Sequence, residues 1–351
     1  MNEKNSRSET VGTVGGQALI EGVMMMKKSE GSVAIAVRRE NGEIVKKTKT
    51  YIPLTVKYKI LNIPLLRGFL NFISMMKLSM GTLTESIEML GLEDDINASA
   101  KEGEKEVKKE DMSKMIGIAS AVGIILGFAL SFVLFFFLPT FLGSTVENAF
   151  MNQWEIRLSP FLLSLFEGAI RLAIFIAYLL LVSQMKDIRR TFEYHGAEHM
   201  AIYAYEHGEE LTAENVRKHS RFHPRCGTSF LIVMILIGVI VGMIIPRDLW
   251  FRVLIRLAMF PLVIGVGWEF IRLAGKHSNN ALVKIIAAPG MWVQRITTKK
   301  PDDSQLEVAI TSLKLALKLE TAEDTADVKE TDGMGKIGDE EHSSEAERIE
   351  N

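Results

Sequence analysis

Residues 160–199 read PFLLSLFEGAIRLAIFIAYLLLVSQMKDIRRTFEYHGAEH. The first part, Pro160 to Gln184, is an apolar block of membrane length, since roughly 20 helical residues cross a hydrocarbon core ~30 Å thick. The second part is charged and ends on His195-Gly196-Ala197-Glu198-His199. A membrane helix that feeds a polar segment rich in chemical groups sets the class of the whole chain.

Three further blocks reach similar length, at Met115 to Leu142, Ser229 to Ile245 and Leu249 to Leu273. The last two are joined only by Pro246, Arg247 and Asp248, which predicts a tight helical hairpin. Composition agrees: 48% of the residues are hydrophobic and 24% charged, so the apolar residues must be concentrated in blocks. The formal net charge is −2, which gives no global field for nucleic acid. With one cysteine, Cys226, an intrachain disulfide is excluded. Met1 to Val14 lacks the apolar core of a signal peptide, so insertion is expected to rely on the internal spans.

Charge bias orients the spans. The segment between the second and third blocks carries Lys186, Arg189, Arg190, Arg217, Lys218, Arg221 and Arg225, whereas Arg157 stands alone between the first and second. The cation-rich segment is expected in the cytosol, and both termini with it. The fold expected is a mainly α membrane protein with about four transmembrane helices, a small N-terminal β element and cytosolic helical segments.

Residues 1–92 hold the β element and an apolar helix. Ser32 to Arg39 and Glu43 to Tyr51 alternate like strands around Asn41-Gly42, a type I′ hairpin signal. Pro64 to Leu90 reads as a helix whose Arg67, Lys77 and Glu85 favour an interfacial or buried place over a span. Residues 93–114 form a charged linker, and 115–185 hold the first two spans. Residues 186–228 are the cytosolic His/Cys segment, and 229–273 are the hairpin. In 274–319, Leu282 to Ile296 is apolar around Pro289-Gly290, Asp303 is a helix cap, and Leu306, Ile310, Leu313 and Leu317 share one helical face. Residues 320–351 are an acidic tail of disordered composition.

The second span has no breaker at its cytosolic end, so its helix is expected to run on to Gly208. The order His-x-x-Glu-His on that extension puts two imidazoles on adjacent turns of one face, which suits two ligands to one metal with the glutamate as general base. A third ligand is expected from His219 to Cys226, with His223 and Cys226 best placed. Five of the seven histidines fall between His195 and His223. Zinc is the expected ion. Two other readings of the same residues stay open. Cys226, beside Arg225 and before a helix, could be a thiolate nucleophile with His199 or His223 as base. Alternatively, Cys226 to Ser229 could offer backbone amides to an anion. Gly15 to Met24 is a second constellation in which Gln17 and Glu21 are polar groups among apolar ones; alone it reads as a turn and a strand. Charges inside the apolar blocks form a third: Glu167, Arg171 and Arg256 each cost about 2.5–3.5 kcal/mol at mid-bilayer unless partnered. Equal depth predicts a Glu167–Arg256 pair across helices, against a Glu167–Arg171 pair within one.

Five stretches carry a resemblance: GGQALIEGVMM from Gly15, Ala34 to Arg39 with Gly42, HGAEH from His195, HPRCGTSF from His223, and PGMWVQRITTKKPDDSQLEVAI from Pro289. In these the chain resembles the YqhQ family, bacterial multi-pass membrane proteins of unknown function labelled as predicted metal-dependent enzymes. The resemblance implies a metal, lends weight to His195, Glu198, His199, His223 and Cys226, and favours a bacterial cytoplasmic membrane. Family members often have an arginine where this chain has Met26. The expected function is a metal-dependent, zinc-type site of the hydrolytic class on the cytosolic face, with a lipid or membrane-protein substrate. The competing expectations are a non-catalytic adaptor that binds partner proteins and a small-solute or ion transporter.

Overall fold

The computed structural model describes residues 12–91, 122–123, 125–245, 248–276 and 280–319. The charged linker, the start of the first apolar block and the acidic tail lie outside the described residues.

Four strands form an antiparallel meander, β1 (Val14–Leu19), β2 (Gly22–Lys27), β3 (Ser32–Arg38) and β4 (Ile44–Thr50), in the order β1-β2-β3-β4. The hairpin expected at Asn41-Gly42 is present, with a different turn. Type I′ needs positive φ at both central residues, and here Gly42 is positive (φ 86°) while Asn41 is not. Arg39 N–H donates to the Glu43 carbonyl and Gly42 N–H to the Arg39 carbonyl, the pattern of a three-residue loop with a bulge at glycine.

Both faces of this sheet are covered, which explains why β2 and β3 are apolar without alternation. On one face Val23, Met25, Ala34 and Ala36 pack with helices α4 (Lys186–Glu206) and α9 (Asp303–Ala316). On the other, Met24, Val33 and Ile35 pack with Leu78 of helix α1 (Leu66–Leu90). The pairing Met25↔Ala34 beside Met24↔Ile35 sets this division. Leu306, Ile310, Leu313 and Leu317 are all buried, as their spacing predicts. The cap of α9 is Asp302, which closes a capping box with Gln305, and not Asp303.

Among the described residues, three helices are long and apolar enough to cross a membrane: α2 (Ile125–Trp154), α3 (Pro160–Val182) and the Leu249–Leu273 part of α7 (Leu249–Lys276). The first outruns its expected end at Leu142, because nothing breaks the helix before Glu155 turns left-handed (φ 57°). The third apolar block forms α6 (Thr228–Gly242), whose 15 residues span only about 22 Å at 1.5 Å each. Helices α5 (Ala213–Arg217) and α8 (Ala281–Thr297) are also present, and single helical turns at Leu54–Lys57 and Lys59–Leu61 lie between β4 and α1. The second span does not continue unbroken into the His-rich helix. Ser183 Oγ and Gln184 Nε2 both donate to the Leu180 carbonyl, the chain turns at Met185, and α4 starts afresh at Lys186.

The charges within the apolar helices have polar partners inside the bundle. Glu167 of α3, fully buried, pairs with Arg256 of α7 across helices, and Arg256 Nη1 also donates to Thr140 Oγ1 of α2 (2.6 Å). Arg252, one turn earlier on α7, faces the same carboxylate at 3.5 Å. Arg171 takes no part in that pair. It donates to the Phe135 carbonyl (2.8 Å), inside a π turn of α2 at Val133–Phe137.

The close approach that brings the C-terminal segment to α4 is made at Gly196. A β-carbon there would stand 2.1 Å from the Lys299 carbonyl oxygen. Lys299 N–H in turn donates to the Phe192 carbonyl (2.8 Å), so the segment 297–301 lies directly on the helix backbone.

Two outcomes follow from this packing. Gly196→Ala is expected to cost about 1–3 kcal/mol through overpacking, read as a lower thermal midpoint in detergent. Gly81→Ala, with nothing within 4 Å of its added carbon, should be neutral or stabilising by about 0.5–1 kcal/mol; equal effects would contradict the close approach. In the bundle, Glu167→Gln takes the counter-ion from both Arg252 and Arg256, whereas Arg256→Met leaves Arg252 beside Glu167. Breaking a buried pair costs about 3–5 kcal/mol, and Glu167→Gln is expected to lower the thermal midpoint more than Arg256→Met does; the reverse order would refute the shared carboxylate.

Candidate functional site

Helix α4 carries His195, Glu198, His199 and Glu206 along one side, and its buried face is packed against the sheet and α9. The loop after α5 returns through His223 and Cys226 to the start of α6, and the two arms meet. His195 Nε2 lies 3.3 Å from Cys226 Sγ. One ligand atom each from His195, His199 and Cys226 lie within 4.8 Å of one another.

Main-chain carbonyls orient both imidazoles. His195 Nδ1 is 2.8 Å from the Thr297 carbonyl oxygen, and His199 Nδ1 is 2.6 Å from that of Arg221. A carbonyl can only accept, so Nδ1 carries the proton in each ring and donates it. Each Nε2 is left with a lone pair. The segment that supplies Thr297 is the one admitted by Gly196. Cys226 Sγ also accepts from Thr228 Oγ1 (3.4 Å), the first residue of α6.

Glu198 is buried, with its Oε2 3.8 Å from His195 Nε2. Burial pushes its carboxyl up to about 7, opposed by His195 when that ring is protonated, by a hydrogen bond from the Gly16 amide and by the charge of Lys28. Gly16 must be glycine for this contact, because a β-carbon there would stand 2.8 Å from Glu198 Cγ and Oε1. The Gly-Gly-Gln stretch thus belongs to the same site as His-x-x-Glu-His, some 180 residues away by chain (about 180, counted from Gly16 to Glu198).

A cleft of about 530 Å³ opens over these groups. His195, Glu198, His199 and Cys226 line it, with Gln17, Lys28 and Arg225 as further polar groups. The rest of the lining is largely apolar and includes Met24, Met26, Met75, Leu78 and Leu231. Met26, at the position where the resembled family often has arginine, therefore contributes an apolar surface. Gln17 Oε1 is buried and has no hydrogen-bond partner among the described residues.

His223 does not join the His195, His199 and Cys226 cluster. Its Nε2 is turned to Glu206 Oε2 at 3.5 Å, and its Nδ1 accepts from the Arg225 amide (3.3 Å). Its peptide is clamped on both sides by Gln294, which accepts from His223 N (2.8 Å) and donates to His223 O (2.9 Å). Burial holds the His223 imidazole below its usual value against the pull of Glu206, and the charge of Arg225, with that of His199 when its ring is protonated, adds to the lowering. Arg225 pairs with Glu206, which also accepts from the Gly12 amide at 2.9 Å. Burial raises the Glu206 carboxyl, but His223, Gly12 and Arg225 together outweigh it and hold the group down to about 2. His219 pairs with Glu209 (3.1 Å), away from the cluster. Glu21 is likewise elsewhere: it sits in the β1–β2 turn and receives Arg190 and the Tyr194 hydroxyl, tying the sheet to α4. Glu167, Arg171 and Arg256 stay within the apolar bundle.

Sequence reasoning missed Glu206, Gln294 and Lys28. For Glu206 a signal existed, since it lies seven residues after His199 on the same helical face. Gln294 stands inside one of the stretches quoted for the resemblance, but nothing local distinguishes a glutamine that clamps a distant peptide from one that faces water.

Comparison with known proteins agrees with the resemblance. The family model described as "Protein of unknown function (DUF1385)" matches residues 63–319. The chain is 34% identical over 311 residues to the "Uncharacterized protein YqhQ" of Bacillus subtilis (strain 168), covering 87% of this chain and 92% of that protein. No solved structure matches it. The chain therefore belongs to the DUF1385 family of proteins of unknown function.

Proposed function

We propose that this chain is a membrane-bound metal-dependent enzyme that holds zinc between His195, His199 and Cys226 and uses Glu198 as its general base in a hydrolytic reaction. The observation that carries the reading is the pair of imidazoles whose Nδ1 protons are spent on the Thr297 and Arg221 carbonyls, leaving both Nε2 lone pairs beside the Cys226 sulfur. Two imidazoles and a thiolate are a donor set suited to zinc, and three protein ligands leave a position for reaction. Carbonyls behind the imidazoles are the outer-shell support that such ligands use.

When bound, the ion would supply Lewis-acid chemistry, lowering the pKa of a water and polarising a substrate oxygen. Glu198, buried with Oε2 3.8 Å from His195 Nε2, is placed to take up the proton released from the nucleophile and return it to the leaving group. Gly16 holds the carboxylate in place. Glu206 and Gln294 fix His223 and the returning loop, and so position Cys226. The apolar wall at Met24, Met75 and Leu231 fits a substrate drawn from the membrane, a lipid or a segment of another membrane protein. The lysine and arginine bias supports a cytosolic place for this face, and the resemblance supports a bacterial cytoplasmic membrane.

A specific contact favours a second reading. Cys226 Sγ lies 3.3 Å from His195 Nε2, and His195 is oriented by Thr297, which is also the arrangement of a thiol nucleophile with its base.

Metal analysis of the purified protein separates the two. About one equivalent of zinc is expected, lost in His195→Ala and His199→Ala and retained in Glu198→Gln and His223→Ala. Folded protein without stoichiometric transition metal, together with fast alkylation of Cys226 that slows in His195→Ala, would overturn the metal reading in favour of the thiol.

A further inference from the structure

Between β4 and α1 the chain exposes a run of large apolar side chains: Ile52, Leu54, Val56, Tyr58, Ile60, Ile63, Leu65 and Leu66. Ile60 is 80% exposed and Val56 65%. Single exposed apolar residues are ordinary, but a contiguous patch of this size marks an interaction surface.

Its depth is fixed by a contact with α7. A β-carbon on Gly265 would stand 2.5 Å from the Leu65 carbonyl oxygen, so the end of this segment lies directly on the helix backbone. Gly265 falls within the apolar span Leu249–Leu273, eight residues from its end. At 1.5 Å per residue, Leu65 is about 12 Å inside the end of that span. The chain then reverses sharply: Leu65 is forced to φ 68°, and α1 begins at the next residue. Both flanks lead back to the sheet, β4 directly and α1 through Leu78. The segment enters and leaves on the same side.

Its backbone is satisfied internally in part. Peptide N–H groups in a poorly hydrated medium need internal partners. Within the segment Val56, Lys57, Tyr58, Leu61, Asn62 and Leu66 donate to its own carbonyls, so the short turns at Leu54–Lys57 and Lys59–Leu61 are closed, and the remaining amides are left to the headgroup level. Pro53 and Pro64 have no N–H to satisfy. Thr55 Oγ1 bonds to Asn71 Oδ1 (2.7 Å) and fastens the segment to α1. Lys57 and Lys59 are exposed on it and long enough to reach lipid phosphates while their stems lie among the apolar groups. At the far edge, Arg67 and Glu269 form a bidentate pair that closes the α1–α7 contact (Nε to Oε1 2.5 Å).

We propose that residues 52–66 are a re-entrant strap that binds the leaflet on the sheet side of the membrane, with its apolar side chains among the acyl chains and Lys57 and Lys59 at the headgroups. It holds α1, and with it Met75 and Leu78 of the cleft wall, at the level of the lipid surface. This does not depend on any metal in the cleft.

The test is collision accessibility of nitroxide labels on the full chain in phosphatidylethanolamine–phosphatidylglycerol bilayers. Labels are placed singly at Ile60→Cys and Ile63→Cys in a Cys226→Ser background, with Asn41→Cys, exposed in the β3–β4 turn, as the aqueous reference. At positions 60 and 63, oxygen collisions are expected to rise several-fold above the reference while those of a water-soluble nickel chelate fall several-fold. Nickel collisions equal to the reference would place the strap in water and overturn the proposal. Low collisions with both agents would mean that protein covers it, residues 92–121 or a second copy, and would overturn it equally. The reference label and a monodisperse elution profile report that the background is folded.

Discussion

A ring nitrogen can serve only one partner at a time, and the site is organised around that limit. Main-chain carbonyls occupy Nδ1 of both His195 and His199, so the free lone pair of each ring is fixed on Nε2. Neither carbonyl is near in sequence. Thr297 ends α8, and Arg221 lies in the loop that precedes Cys226. The fold must therefore deliver two separate pieces of backbone to one side of α4. Gly196 admits the first by offering no side chain to Lys299, and Gln294 secures the second by holding the peptide of His223. The soluble layer is built outward from these two contacts, with the sheet below α4 and α9 locking the far face.

The membrane layer obeys a related constraint, that a charge in low dielectric needs a partner. Glu167 answers to Arg256 and Arg252, and Arg171 to a carbonyl in the π turn. Each of these charges therefore has a polar partner within the bundle. The same helices fix the level of the cleft: α6 begins just after Cys226, and α1 reaches from α7 up to the sheet. The reactive groups consequently lie where the apolar helices end.

Much of this was legible in the sequence, and the failures have physical reasons. Apolar blocks of sufficient length located the spans because burial in lipid leaves no other composition available. His-x-x-Glu-His, with the lone cysteine on a returning loop, located the cluster because both its helical spacing and its chain reversal are local features. Depth counting found the Glu167–Arg256 pair. Tertiary contacts were not legible. His223 has the same local credentials as Cys226, yet Glu206 and Gln294, distant in sequence, turn it away from the cluster. Glu21 sits in a conspicuous motif but serves α4 through Arg190 and Tyr194. The break at Ser183–Met185 uses side-chain bonds that propensity does not encode, and α6 ends at Gly242, three residues before its apolar block does.

The central claim is that His195, His199 and Cys226 form one first coordination sphere. X-ray absorption at the zinc edge, on protein loaded with one equivalent of zinc, tests it most directly. The account predicts a single sulfur at about 2.3 Å with nitrogen scatterers at about 2.0–2.1 Å, and loss of the sulfur alone in Cys226→Ser. A shell of oxygen and nitrogen only, unchanged by that substitution, would contradict it.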